Sequence, residues 1–244
     1  MNKTEQLTEE LVYNKFNTEE ALKKYISIAR TKLWESEEIL IEKYFKLGGR
    51  ILDIGCGCGR VTFPLAEKGY RAIGIDICNK MIEGARVLAK NASHIPNFFL
   101  MDARNMQFDD NSFDGAIFSF NGLSEVYGED NRSKILKETN RVLRPEGRFI
   151  LSSPYFLLRY MPLFAASFIC SKLMPKEERI GFGDRFYIKN GKECYFHVPK
   201  QKNLISLLES SGLDIVYSEK RNNLSKKDKK LDSFDCMFYV CEKK

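Results

Sequence analysis

Two rhythms of apolar residues alternate along the chain. Short dense runs, at 51–54, 71–78, 98–101, 113–120, 148–153, 213–218 and 234–243, carry apolar side chains at nearly every position. Such runs predict strands buried on both faces. Between them, apolar residues recur every three or four positions, which predicts helices at 7–16, 18–45, 60–68, 79–91, 132–143 and 199–211. Thr18 is placed to cap the second of these, with Glu19 and Glu20 in the opening turn. Gly212 terminates the last. Strand following helix at this spacing predicts an α/β fold with a mainly parallel sheet and helices on both faces.

Two segments break the alternation. Residues 155–174 form a long apolar stretch interrupted by Arg159, Pro162 and Lys172. The two charges and the proline weigh against a transmembrane span and favour a helical cap or a packing surface. At 186–197, aromatic and β-branched residues flank Asn190-Gly191, the signature of a tight hairpin with a type I′ turn. The expected organisation is therefore an N-terminal helical region, 1–45, capping the substrate side. A single domain, 46–244, follows, with a helical and hairpin insertion at about 155–198.

Chemistry concentrates where the first strand ends. The segment ILDIGCGCGR, up to Arg60, places glycines at Gly55, Gly57 and Gly59, with Asp53 just before them. A strand turning sharply into a helix N-terminus exposes backbone N–H groups and admits a ligand close to the chain. The second strand ends in Asp76, a carboxylate able to accept hydrogen bonds from ribose hydroxyls. The spacing GxGxG lacks the third glycine of the dinucleotide fingerprint GxGxxG. Asp53 would repel a pyrophosphate, whereas it suits a cationic amino-acid end.

These residues resemble the class I S-adenosylmethionine-dependent methyltransferases, particularly the small-molecule type related to ubiquinone/menaquinone-biosynthesis and glycine-type N-methyltransferases. ILDIGCGCGR resembles the glycine-rich first motif of that family, GIDICNKMIEGAR the second, FLMDARNMQF the third and FDGAIFSFNGL the fourth. The resemblance implies a seven-stranded sheet of order 3-2-1-4-5-7-6 with strand 7 antiparallel. It also implies S-adenosylmethionine as cofactor. Gly55, Cys56, Gly57 and Gly59 would cradle it and Asp53 would hold its amino-acid end. Asp76 would bind the ribose, Ile77 and Met81 would border the adenosine, Asp102 would face the adenine amino group, and Ala103 or Arg104 would lie beside the ring. Phe118, Ser119 and Asn121 would run along the methionine end. The chain departs from many relatives in having Ser124 and Glu125 where they carry a histidine. It also lacks the NPPY-like tetrad of the exocyclic-amino nucleic-acid methylases.

Methyl transfer from a sulfonium is an in-line displacement in which positioning matters most. A base is needed only for an acceptor that holds its proton. Glu125 and Tyr127 are candidates for such work, because the carboxyl edge of the sheet gathers the loop after strand four, and His197, which ends the hairpin, is a third if it faces the pocket. Tyr13 and Tyr25 are expected to help close the acceptor side. The acceptor expected is a small molecule with apolar bulk, methylated on N or O.

Composition adds less. The net charge of +6 is concentrated at 176–230, with thirteen Lys or Arg against eight Asp or Glu. This keeps an RNA or tRNA methyltransferase open as an alternative, beside a dinucleotide oxidoreductase and a non-catalytic S-adenosylmethionine-binding protein. The run SKKDKK at 225–230 reads as a solvated, mobile loop. Seven cysteines, with CxC lacking a second ligand pair and only His94 and His197 in the chain, suggest reduced packing thiols in a cytoplasmic protein and no metal. No apolar leader opens the sequence, and a homodimer is left open.

Overall fold

The computed structural model describes residues 3–155, 181, 183–230 and 236–244. A seven-stranded sheet is built from β1 (Arg50–Ile54), β2 (Arg71–Asp76), β3 (Asn97–Leu100), β4 (Phe113–Phe118), β5 (Leu143–Pro154), β8 (Leu213–Lys220) and β9 (Cys236–Lys243). Its order is β3-β2-β1-β4-β5-β9-β8. Strands β3 to β5 run parallel, and β9 is antiparallel to both its neighbours. The remaining strands, β6 (Asp184–Lys189) and β7 (Lys192–His197), form a separate hairpin. With that hairpin set aside, the observed order is the 3-2-1-4-5-7-6 that the resemblance implied.

The period of two explains why both faces are dry. Leu52 and Ile54 of β1, Phe149 and Leu151 of β5 and Tyr239 of β9 face one layer, packed by Leu136 of α6 (Glu129–Val142) and Leu208 of α7 (Gln201–Ser210). Ile51, Ile117, Ile150 and Phe238 face the other, covered by Leu40 and Ile41 of α3 (Glu35–Tyr44) and Leu65 of α4 (Thr62–Glu67). A third small cluster joins α2 (Glu19–Ala29) to α5 (Asn79–Ala89) through Ala21, Cys58, Cys78 and Met81. Cys56 and Cys58 are buried packing thiols: side chains added at Gly74 and Gly84 would meet their sulfurs at 2.9 and 2.7 Å.

Four local expectations are corrected. The helical region 18–45 divides in two at 30–34, where Lys32 turns left-handed (φ 61°) and Trp34 is extended. α6 begins three residues before the expected Arg132, because Gly128 (φ 82°) ends the preceding loop and Glu129 and Asp130 suit a helix N-terminus. The turn at Pro145 and Gly147 does not precede β5 but lies inside it. The strand pairs with β4 at Leu143, bulges at Glu146 (φ 62°), and resumes pairing at Arg148. Finally, the lysine-rich run is not simply solvated: Ser225 and Asp228 are buried. Asp228 accepts a hydrogen bond from the Ser36 N–H at 2.9 Å, and Ser225 donates to Glu35 at 2.6 Å, so this segment caps α3.

Other expectations hold. Thr18 Oγ1 accepts from the Ala21 N–H at 3.1 Å. The hairpin turns through Asn190 (φ 52°) and Gly191 (φ 74°), the two left-handed residues of a type I′ turn. The apolar segment 155–174 lies outside the described residues, except for Tyr155. Among the described residues no helix is long and apolar enough to cross a membrane.

Candidate functional site

β1 lies between β2 and β4, so chain connections leave it in opposite directions and open a crevice at the carboxyl ends of these strands. A cavity of about 920 Å³ occupies that crevice. Helices α1 (Lys3–Phe16) and α2 wall one side of it and the hairpin another.

The glycine loop forms the floor. Gly55, Gly57 and Gly59 all have positive φ (63°, 54° and 88°), which L side chains rarely adopt. A Cβ at Gly55 would stand 2.8 Å from the Phe118 ring, and one at Gly59 would stand 2.7 Å from Phe63. Asp76 anchors the loop from β2: its carboxylate accepts the Gly57 N–H at 2.9 Å and the Cys78 N–H at 2.8 Å. Burial raises the Asp76 pKa, with the backbone donors opposing that rise. Its position on the cavity wall leaves it able to accept hydrogen bonds from ligand hydroxyls.

Beneath the loop, Asp53 is 1% exposed and accepts a 2.6 Å hydrogen bond from Thr62. Burial pushes its pKa up to about 7, partly offset by Thr62 and Arg60. A cation bound above it would relieve that cost. Arg60 itself makes a bidentate pair with Glu37, both contacts at 2.6 Å. Its guanidinium stacks on Trp34 at 4.7 Å and reaches Ser119 Oγ at 3.1 Å.

At the far end, Ile77, Met81, Ala103 and Asp102 line the cavity. Arg104 holds the Asp102 carboxylate through its backbone N–H and its guanidinium, each at 2.8 Å, and extends to Glu9 of α1 at 2.7 Å. The Tyr13 hydroxyl donates to the Ile77 carbonyl at 3.1 Å. α1 therefore covers this end of the cavity as well as the acceptor side for which Tyr13 was expected. Cys56, Ser119 and Asn121 line the middle, where Phe120 (φ 56°) and Asn121 (φ 59°) are both left-handed. Such strain in non-glycine residues concentrates at functional sites. The Asn121 N–H donates to Ser152 at 3.0 Å. The Phe120 ring sits 6.3 Å from Tyr25 and 5.3 Å from Trp34.

The three candidates for proton chemistry separate. Glu125 lines the main cavity, its two oxygens 2.6 and 2.7 Å from Lys15 Nζ. Burial raises its pKa, and Lys15 opposes that rise. Tyr127 and His197 instead line a second cavity of about 330 Å³. The expectation that His197 faces the main site is corrected by the hairpin register. His197 pairs with Asp184, and its Nδ1 lies 2.6 Å from that carboxylate. Burial lowers the His197 pKa. Tyr127 is held in a cluster with Phe186 and Tyr195, ring centroids 5.5 and 5.1 Å away.

Sequence reading missed Lys15, Arg60, Tyr187 and Phe196 as cavity residues. For Arg60, its place directly after the third glycine was the available signal. The others arrive from distant segments.

A methyltransferase-domain family model matches residues 52–151. A demethylmenaquinone methyltransferase of Staphylococcus haemolyticus is 30% identical over 210 residues, 80% of this chain and 80% of that protein. The putative methyltransferase YqeM of Bacillus subtilis is 36% identical over 100 residues, which span 41% of this chain and only 40% of that protein. Among solved structures, a SAM-dependent methyltransferase of Methanosarcina mazei superposes with a TM-score of 0.71 at 25% identity, covering 87% of this chain and 98% of the other.

Proposed function

Because the chain belongs to the class I S-adenosylmethionine-dependent methyltransferases, we propose that it methylates an N or O atom of a small molecule enclosed in the main cavity. The observation that carries this reading is the shape of that cavity. It runs from the Asp76 and Asp102 end, past the glycine loop, into a chamber walled by Phe16, Tyr25, Trp34 and Phe196. At about 920 Å³ it stands near the upper end of the 300–1,000 Å³ range of ligand sites. It suits a cofactor and an acceptor side by side, with apolar bulk against the rings.

The residues fit the cofactor. Asp76 would accept hydrogen bonds from the ribose, and Ile77, Met81 and Ala103 would border the adenine with Asp102 at its edge. Gly55, Cys56 and Gly57 would let the backbone approach the methionine portion, whereas Gly59 does not line the cavity and has Phe63 and Phe98 close beside it. Asp53 would face its ammonium, while Phe118, Ser119 and Asn121 would line its length. S-adenosylmethionine supplies a methyl group already activated on a sulfonium. The protein holds the acceptor atom in line and excludes water, a positioning effect worth several orders of magnitude in rate. Of the proton-handling candidates, Glu125 is the one whose geometry serves the reacting atoms. α1, α2 and the hairpin act as the cap over the acceptor, whereas α3, within the stretch 1–45 expected to cap the substrate side, covers a face of the sheet instead. The six described cysteines are buried thiols, in keeping with the cytoplasmic setting proposed here.

Calorimetric titration with S-adenosylmethionine, S-adenosylhomocysteine and NADH tests the cofactor, and labelled methyl incorporation into a metabolite extract and into RNA tests the acceptor. Binding of the first two and label in small molecules is expected. Label in RNA alone would favour the nucleic-acid reading. Binding without turnover on either acceptor would favour a non-catalytic one.

A further inference from the structure

The two ends of the main cavity carry opposite charge. Asp53, Asp76 and Asp102 line the cofactor end, where Arg60 is committed to Glu37 and Arg104 to Asp102 and Glu9. The acceptor end, formed by α1, α2, the hairpin and the loop after β4, reverses the balance. Lys15, Lys24 and Arg185 line it against one carboxylate among the described residues, Glu125. Lys189 of the hairpin adds further positive potential at Glu125. A cationic amine would be disfavoured in such a chamber, and an anion favoured.

The Lys15–Glu125 pair is the feature that gives this field a chemical use. The two groups meet across 110 positions of sequence, and each side chain is 17% exposed. Around the ammonium stand Phe16, Tyr187 and Phe196, with ring centroids 5.2, 5.5 and 5.5 Å away. Aromatic faces hold a cation without neutralising it. They also offer a flat apolar wall to a planar molecule.

Resting on the methyltransferase reading above, we infer that the acceptor is a flat, largely apolar molecule bearing an acidic hydroxyl, recognised by the Lys15–Glu125 pair. On binding, the hydroxyl proton passes to a Glu125 oxygen while Lys15 exchanges its carboxylate partner for the new oxyanion. Net charge in the chamber is unchanged by this exchange. The oxyanion lone pair then forms the O–CH3 bond as the S–CH3 bond breaks, and the bonding pair stays on sulfur as a neutral thioether. Lys15 is thus a binding and catalytic residue. Glu125 is the proton acceptor, and its burial favours the protonated form once Lys15 has turned away.

Nitrophenol serves as a probe because its phenolate is yellow and its phenol is not. The full chain, saturated with S-adenosylhomocysteine, is titrated with nitrophenol about one pH unit below the free probe's pKa, and the bound probe's absorbance is read. Phenolate colour is expected on binding, with the bound probe's pKa lowered by about one unit or more. Benzylamine should compete at least tenfold more weakly. Lys15→Met should abolish the colour and Lys15→Arg should restore part of it, with S-adenosylhomocysteine affinity and thermal stability recorded for each variant. A probe that fails to bind, a probe bound as the neutral phenol, equal competition by benzylamine, or unchanged colour in Lys15→Met would each overturn the inference. Should S-adenosylhomocysteine itself fail to bind wild type, the methyltransferase reading fails instead.

Discussion

The cofactor end and the acceptor end of the cavity are assembled by different kinds of contact. At the cofactor end the decisive hydrogen bonds join backbone to side chain over short stretches, as from the Gly57 N–H to Asp76, 19 positions apart. At the acceptor end, side chains meet from remote segments: Lys15 with Glu125 at a separation of 110, and Asn14 with the Glu193 carbonyl at 179. The first construction rests on the backbone of the glycine loop and the carboxylate at the end of the neighbouring strand. The second depends on how α1 and the hairpin pack, and α1 also touches the first, through Tyr13 on the Ile77 carbonyl and Glu9 on Arg104. Loop-borne specificity on a fixed scaffold is the same division of labour.

The largest test of this contrast lies at the joint between the ends. Glu37 is fully buried beneath the loop and paired with Arg60, which also reaches Ser119 and Trp34. Glu37→Ala leaves a buried guanidinium without its counter-charge, so a loss of about 3–5 kcal/mol in urea-unfolding stability is expected. A loss below about 1 kcal/mol would mean that the loop does not depend on α3.

Next in size, Asp76→Ala should weaken S-adenosylhomocysteine binding by about 10- to 100-fold, since hydrogen bonds to a charged group contribute roughly 1.5–3 kcal/mol. Lys15→Met should leave that affinity within about twofold. Calorimetry on the two variants checks the independence of the ends, and equal losses in both would break the comparison.

A pH test follows from Asp53. Its folded-state pKa of about 7 lies above the ordinary 3.8, so the native protein keeps a proton that the unfolded chain releases. Stability is therefore expected to fall as pH rises from about 4 to 7, and Asp53→Asn should flatten that slope. Denaturant unfolding at pH 5 and pH 7.5 reads the difference. Cofactor binding should reduce the slope in wild type, because a cation beside Asp53 favours its ionised form.

The same contrast explains what could be read from the sequence. The strands, the three glycines, Asp53 and Asp76 were legible because backbone geometry and strand ends leave local signatures, whereas the sheet order and the part given to Asp102 came from the resemblance to the family. Thr18 and the Asn190-Gly191 turn were legible for the same reason. Lys15 carried no such mark, since a lysine at the end of an amphipathic helix ordinarily reaches solvent, and its meaning comes from Glu125 far along the chain. His197 was misjudged because its distance along the sequence from the hairpin turn says nothing of which cavity it faces. The register with Asp184 decides that. Asp228 was hidden inside a lysine run whose charge masked its hydrogen bond to α3.

The smallest effect probes the α2 wall of the acceptor end. Thr18 closes the N-terminus of α2, accepting the Ala21 N–H, and α2 carries Tyr25 and Lys24 into the cavity. Loss of a threonine cap costs about 1 kcal/mol. α2 packs on α5 through Ala21 and Met81, so that cost should appear as fraying of the first turn and not as displacement of the helix. Thr18→Ala should then lower overall stability by about 1 kcal/mol or less and speed amide exchange in the first turn of α2. Cofactor affinity should stay within about twofold. Thr18→Asn, which caps as well as threonine, should behave like wild type. If Thr18→Ala instead weakens cofactor binding tenfold, the acceptor wall supports the glycine loop directly, and the two ends form one cooperative unit.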